Sequence, residues 1–221
     1  MATAVYFDAD SLRETKFTSV FIINDDKNKW TGSYSSTPGI YESISLKETI
    51  KEKGEEAFFK KIKTNFTGDI NLNNTSVDSL KSDTKPITIH YDFDLKNDGE
   101  ENIIYFNPLM SDAYKENPFK SAERRYPVEM PFASDEIYVA NIEVPKGYEV
   151  DELPQSARVS FNETEGMFEY MIAKDGENVQ MRCRIKLEKA VFQPEDYESL
   201  RAFFGYIVKK ESEQIVFKKK K

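Results

Sequence analysis

The amino-acid sequence predicts a mainly β fold with a minor α component: antiparallel, β-sandwich-like units that each pack one amphipathic helix. Three observations carry this. Ile87, Ile89, Tyr91, Phe93 and Leu95 alternate with polar residues at period two, the pattern of a half-buried strand. Val179, Met181, Cys183, Ile185 and Leu187 repeat it, with Gln180, Arg182, Arg184 and Lys186 on the opposite, solvated face. Lys174-Asp175-Gly176-Glu177 separates this run from the apolar stretch at 166–172, and Asp-Gly between two alternating runs marks a hairpin over 167–187.

The remaining elements follow in chain order. Runs rich in β-branched and aromatic residues predict strands at 16–23 and 29–35 on either side of a polar turn, then at 43–47. A short helix is expected over 55–63, where Phe58 and Ile62 lie four apart, glutamates open the segment and lysines close it, as the helix dipole favours. Further strands are expected at 101–106, 126–130, 136–144 and 158–161. A second helix over 194–209 starts with Pro194 followed by acids and repeats Leu200, Phe203 or Phe204, and Ile207 on one face. Gly205 inside it costs about 1 kcal/mol relative to alanine, so packing rather than propensity must hold this helix. Ile215-Val216-Phe217 predicts a closing strand. The weakly periodic, charged stretch at 111–125 predicts a boundary between a β-rich unit with one short helix, 1–115, and a β-sandwich-like unit with the second helix and closing strand, 116–221.

Composition mainly excludes functions. With 221 residues, 39% hydrophobic and 13% aromatic, the chain can bury a core and is no disordered segment. A formal charge of -8 argues against a nucleic-acid partner, whose phosphates call for a cationic surface. One cysteine and one histidine cannot form a zinc cage or an internal disulfide, and no cofactor or metal is expected. No run approaches the roughly 18 apolar residues of a spanning helix. Asp8, Asp10, Arg13 and Glu14 interrupt any signal-peptide apolar core near the start.

Candidate sites are sparse. Trp30, Tyr34 and Tyr41 form a candidate aromatic platform for a glycan, with Trp30, Gly32 and Tyr34 on one strand face; core packing is the commoner role for such residues. The segment from Asn117 through Phe119, Arg124, Arg125 and Tyr126 is a candidate interface, with aromatic anchors and guanidinium forks for carboxylates. Its alternative is a local turn with exposed arginines. The pairs Asp92 and Asp94, and Glu195 and Asp196, read better as a wet strand face and helix-opening acids than as glycosidase carboxylates. The polar turns at 24–28 and 97–101 carry oxygens suited to weak calcium binding, and equally to plain turns. Cys183 falls in an inward register and His90 in an outward one on a different strand, so they are not expected to meet.

Asn117-Pro118-Phe119, Arg124-Arg125-Tyr126-Pro127-Val128, Pro145-Lys146-Gly147-Tyr148, Leu153-Pro154, the string from Phe192 to Phe203 and Glu213-Gln214-Ile215-Val216-Phe217-Lys218 occur in that order. Together they resemble the carboxy-terminal region of Bacteroidetes transglutaminase-like proteins, in which an amino-terminal β-rich domain of unknown function is followed by a transglutaminase-like core and then this tail. Trp30-Thr31-Gly32-Ser33-Tyr34 with Tyr41-Glu42-Ser43-Ile44-Ser45-Leu46 resembles the strand pair that follows that core. The resemblance covers the chain from about Lys16 onward. It implies a non-catalytic accessory region of a larger cell-envelope protein, periplasmic or at the cell surface, whose partner is the transglutaminase-like core or another protein. The family's Cys-His-Asp chemistry belongs to that core. A free-standing carbohydrate-binding or adhesin-type surface module is the alternative.

Overall fold

A computed structural model describes residues 13–25, 29–66, 70–95 and 101–221. Its main feature is an eight-stranded mixed sheet in the order β3-β4-β2-β1-β7-β11-β10-β9. The strands are β1 (Arg13–Asn24), β2 (Trp30–Thr37), β3 (Ile70–Asp78), β4 (Thr88–Leu95), β7 (Ala133–Glu143), β9 (Ala157–Phe161), β10 (Gly166–Asp175) and β11 (Asn178–Leu187). A three-stranded sheet joins β5 (Ile103–Phe106), β13 (Ile215–Lys219) and β8 (Tyr148–Glu152). β6 (Val128–Glu129) pairs with β12 (Val191–Phe192). Among the described residues three helices complete the fold: α1 (Ile40–Lys53), α2 (Glu55–Thr64) and α3 (Tyr197–Glu211), the last led in by one 3-10 turn from Pro194. The predicted β-rich class with minor α content is therefore observed.

One face of the large sheet holds the core. Val20, Ile22, Tyr91, Phe93, Ile142, Met181, Cys183, Phe168 and Tyr170 point to it and are buried. α3 covers one end, setting Phe203 against Phe161 and Tyr206 edge-on to Phe168. The small sheet covers the other, where Phe106 and Phe217 pack on Trp30 with ring centroids 5.0 and 5.4 Å away. The backbone also closes tightly at Gly32, where a Cβ would lie 2.3 Å from the Phe93 ring and 2.6 Å from the Phe21 carbonyl oxygen. No larger residue fits there without moving backbone.

Four expectations change. The segment expected as a strand at 43–47, and resembling a strand from Tyr41 to Leu46, lies in α1. Its start is set from a distance: Gly39 offers no side-chain cap, and the Glu14 carboxylate of β1 accepts the Tyr41 N–H at 3.0 Å instead. Ser43 is buried and accepts the Ile87 N–H at 3.1 Å, which explains a polar residue on the packed side. Three helices thus stand where two are expected, with Gly54 at φ +83° making the break between α1 and α2. β3 and β8 lie where the alternation is too weak to predict a strand; all but one of β3's residues keep solvent contact. Of the strand expected at 126–130 only Val128 and Glu129 pair. Finally, one sheet runs across the boundary expected between residues 115 and 116, because β1 pairs in parallel with β7 from Arg13↔Ala133 to Ile22↔Ile142.

Candidate functional site

Two regions hold chemistry. The first is a half-buried charged cluster on the covered face. Lys16 and Glu136 sit opposite each other on β1 and β7, and Glu42 of α1 lies 3.5 Å from the Lys16 ammonium. Burial works against the Lys16 charge, but Glu42, Asp112 and Glu136 outweigh it and push its pKa up. Burial also raises the carboxyls of Glu14 and Glu136 above the ordinary range. Tyr34 donates to Asp112 Oδ2 at 2.9 Å, and Tyr138 donates to the Pro108 carbonyl at 3.1 Å. At the end of α3, buried Glu211 accepts the Tyr114 N–H at 2.7 Å, and its other oxygen lies 3.6 Å from Cys183 Sγ. Burial lifts the Glu211 carboxyl to about 7 and drives the Cys183 thiol far above its usual range. These groups tie the 107–115 segment and α1 to the sheet, and each has a structural partner. A thiol held protonated in this way is a poor nucleophile.

The second region is the opposite face of the same sheet. The alternation that buries Val20 and Ile22 turns Phe17, Phe21 and Ile23 outward, and they remain 50%, 52% and 55% exposed. Met171 of β10, 48% exposed, lies on the same side. A one-sided antiparallel sheet ordinarily sets polar residues on its wet face, so this row of large apolar side chains is the anomaly that asks for an explanation. Between Phe21 and Met171 lies a trough of about 490 Å³ floored by β7 and β11, with Val139, Asn141, Gln180 and Arg182 in its walls. Asn141 Oδ1 is buried there without a hydrogen-bond partner. Charged residues frame the apolar row. Arg184 forms a two-point pair with Asp135 at 2.7 Å, and Arg182 pairs with Glu169. Toward the other edge, Asp92 and Asp94 accept from the side-chain amides of Asn74 and Asn73.

The residues singled out in the sequence do not gather at one place. Trp30 is buried and donates from Nε1 to the Glu143 carbonyl at 2.9 Å, so it presents no ring face to a ligand. Tyr34 stacks on Tyr91 at 4.5 Å on the covered face. Tyr41 sits on α1, half exposed and stacked on Phe132. The three form no common platform. In the 117–126 segment, Phe119 is spent inside the fold against Phe204 and Tyr197, and Asn117 ties the segment to α3 through the Arg201 carbonyl. Arg124 lies over the Tyr197 ring, while Arg125 and Tyr126 remain exposed, Tyr126 by 79%. Cys183 and His90 stand on opposite faces of one sheet, as their registers through Tyr138 and Thr18 and through Ser35 and Ser19 require. His90 instead lies 3.3 Å from Asp78. Among the described residues no group of three or more His, Cys, Asp or Glu side chains is placed to hold a metal. Most of both candidate calcium turns, residues 26–28 and 97–100, lies outside the described residues.

The apolar outer row was missed by the sequence reading, although a signal exists. In Lys16-Phe17-Thr18-Ser19-Val20-Phe21-Ile22-Ile23 both registers carry large apolar residues, and a strand apolar on both sides is one whose two faces both seek cover.

Residues 102–217, just over half of the chain, match the family described as a domain of unknown function with a solved structure, DUF3858. No curated protein matches. A crystal structure from Parabacteroides distasonis described as "a putative protease" is similar at a TM-score of 0.44 and 16% identity, over 54% of this chain. The similar region amounts to 24% of that longer chain.

Proposed function

The chain belongs to the DUF3858 family, and from that premise we propose that it is a non-catalytic accessory region of a larger transglutaminase-like cell-envelope protein, docking onto the core of that protein or onto another protein. The observation that carries the reading is the outward row of Phe17, Phe21 and Ile23 with Met171, half exposed on an otherwise well-packed sheet. Burying such side chains stabilises by about 25 cal/mol per Å² of apolar surface, which favours a protein partner over open water. The non-catalytic part rests on Cys183, held protonated in the core and separated from His90 by the sheet itself. The cell-envelope setting rests on the resemblance of the carboxy-terminal half to the transglutaminase-associated tail. The burial of Trp30 counts against the glycan-platform alternative.

Fractionation of source cells followed by immunoblotting with antibodies against this chain tests the setting. The expected band lies well above 25.6 kDa in the envelope fraction. A band at 25.6 kDa in the cytoplasm contradicts it.

A further inference from the structure

We infer that residues 107–114 form a strap over the packed side of the large sheet, closed at mildly acidic pH and released as pH rises, with Glu211 as the peg that couples the two. The inference goes beyond the docking reading and concerns the opposite face. Residues 107–127, between β5 and β6, carry no helix or strand. Irregular connections longer than about 12–15 residues are uncommon within a compact domain and often serve as lids. The far part of this one is held by contacts that involve no carboxyl. Phe119 packs on Phe204 and Tyr197, the Asn117 amide donates to the Arg201 carbonyl at 2.8 Å, and the Tyr197 hydroxyl donates to the Ser121 carbonyl at 3.0 Å. The near part depends on the last residue of α3. The Asn107 amide donates to the Glu211 backbone carbonyl at 2.7 Å, and the Tyr114 N–H donates to the Glu211 carboxyl at 2.7 Å, so both ends of the strap rest on one residue. Between them Tyr138 holds the Pro108 carbonyl, Tyr34 holds Asp112, and Leu109 is buried. Met110, in the middle, has φ +54°, a conformation that a non-glycine residue keeps where its surroundings impose it.

The surroundings of Glu211 make its ionisation in place costly. The residue is 3% exposed. β11 presents Cys183 to it, β10 presents Tyr170, β7 contributes Glu136 together with Tyr138 beside Cys183, and the strap brings Asp112 and Tyr114. Glu136 and Asp112 are acids like Glu211, and each raises its pKa further. The nearby cations are engaged elsewhere: Lys210 pairs with Glu213 at 2.7 Å and lies over the Tyr170 ring, while Lys16 serves Glu42 and Glu136. Burial outweighs the hydrogen bonds that Glu211 accepts and lifts its carboxyl from 4.5 to about 7. Releasing the strap admits water to this carboxyl and returns it toward the hydrated value, so the closed form holds a proton that the open form gives up. Closure is therefore strongest below 4.5, weakens as pH climbs to about 7 and levels off above that. Between pH 5 and pH 8 the opening equilibrium rises by about 50- to 100-fold. Opening takes cover from Tyr34, Tyr138 and Phe204, on which Tyr114 packs edge-on.

Amide hydrogen exchange of the full chain, followed by NMR from about pH 5 to about pH 8 and corrected for the intrinsic rate at each pH, tests this. The amides of Met110, Asp112 and Tyr114 are all hydrogen bonded in the closed strap and report its opening. Their protection is expected to lie below that of the β10 and β11 amides at every pH, the mark of a local opening, and to fall by about 50- to 100-fold across the range. Glu211→Gln keeps an oxygen for the Tyr114 N–H and has no proton to lose, so in that variant most of the fall disappears. Three results overturn the inference. Strap amides as well protected as those of β10 and β11 would mean that the strap opens only with the whole fold. Strap protection that does not change with pH would remove the coupling, and a Glu211→Gln variant with the parent chain's pH dependence would remove the peg. The first two are read on the parent chain alone and hold even where the variant fails to fold.

Discussion

Replacing Trp30 with alanine is expected to cost about 3–5 kcal/mol, a large part of the roughly 5–15 kcal/mol that holds a domain of this kind together. Trp30 of β2 in the large sheet packs on both Phe106 of β5 and Phe217 of β13. The substitution removes the largest side chain at that junction, leaves a cavity between two sheets that cannot both collapse into it, and deprives the Glu143 carbonyl of the indole N–H. Far-UV circular dichroism during urea unfolding measures the effect without relying on the lost indole fluorescence. Trp30→Phe keeps most of the volume and loses the hydrogen bond, so it should fall between the two. A loss below about 1 kcal/mol for the alanine variant would mean that the small sheet is held elsewhere. The same burial decides against the role that the sequence leaves open for this residue. A tryptophan spent on joining two sheets has no face left for a sugar.

The second large effect is a dependence of stability on pH through Glu211. Its carboxyl ionises near 4.5 in an unfolded chain and near 7 in the folded one, because burial outweighs the hydrogen bonds it accepts. Between those values the folded state keeps a proton that the unfolded state has released, so stability falls as pH rises through this window and levels off above it. A displacement of this size corresponds to about 3 kcal/mol at full development. Glu211→Gln removes the ionisation while keeping an oxygen for the Tyr114 N–H. The variant is therefore expected to be about as stable as the parent chain near pH 5 and more stable by about 2–3 kcal/mol near pH 8. Urea midpoints at the two pH values measure the difference. A gap that does not change with pH contradicts the assignment.

How far the fold is legible in the sequence depends on where each element draws its stability. β4, β10 and β11 show themselves because each has one buried and one wet face, so side-chain period and backbone period coincide. α3 shows itself because it buries Leu200, Phe203, Phe204 and Ile207 along one stripe. α1 does not, because its N-terminus is satisfied by Glu14, more than twenty residues away, and its buried positions include Ser43, which signals nothing by hydropathy. β3 is an edge strand with irregular pairing between Asn73 and Ser76, and its largely wet residues carry no alternation. The parallel pairing of β1 with β7 joins residues more than a hundred positions apart, and no local pattern encodes it.

The candidate sites follow the same logic. Aromatic and arginine residues draw the eye in sequence, yet Trp30, Tyr34 and Phe119 are taken up by packing. The surface that stands out in three dimensions is made of residues that look like ordinary core. Phe17, Phe21 and Ile23 are distinguished only by facing away from the core that Val20 and Ile22 fill.

Oxidative footprinting of those side chains tests the central claim most directly. Hydroxyl radicals label accessible phenylalanine and methionine, so Phe17, Phe21 and Met171 are compared in the dilute isolated chain and in the native protein within its cellular assembly. The account predicts strong labelling of all three in the isolated chain and marked protection in the native protein, while exposed Tyr126 is labelled in the isolated chain and serves as its accessible reference. Equal labelling of Phe21 and Met171 in both states would contradict it, for the face would then be open to water where the protein works.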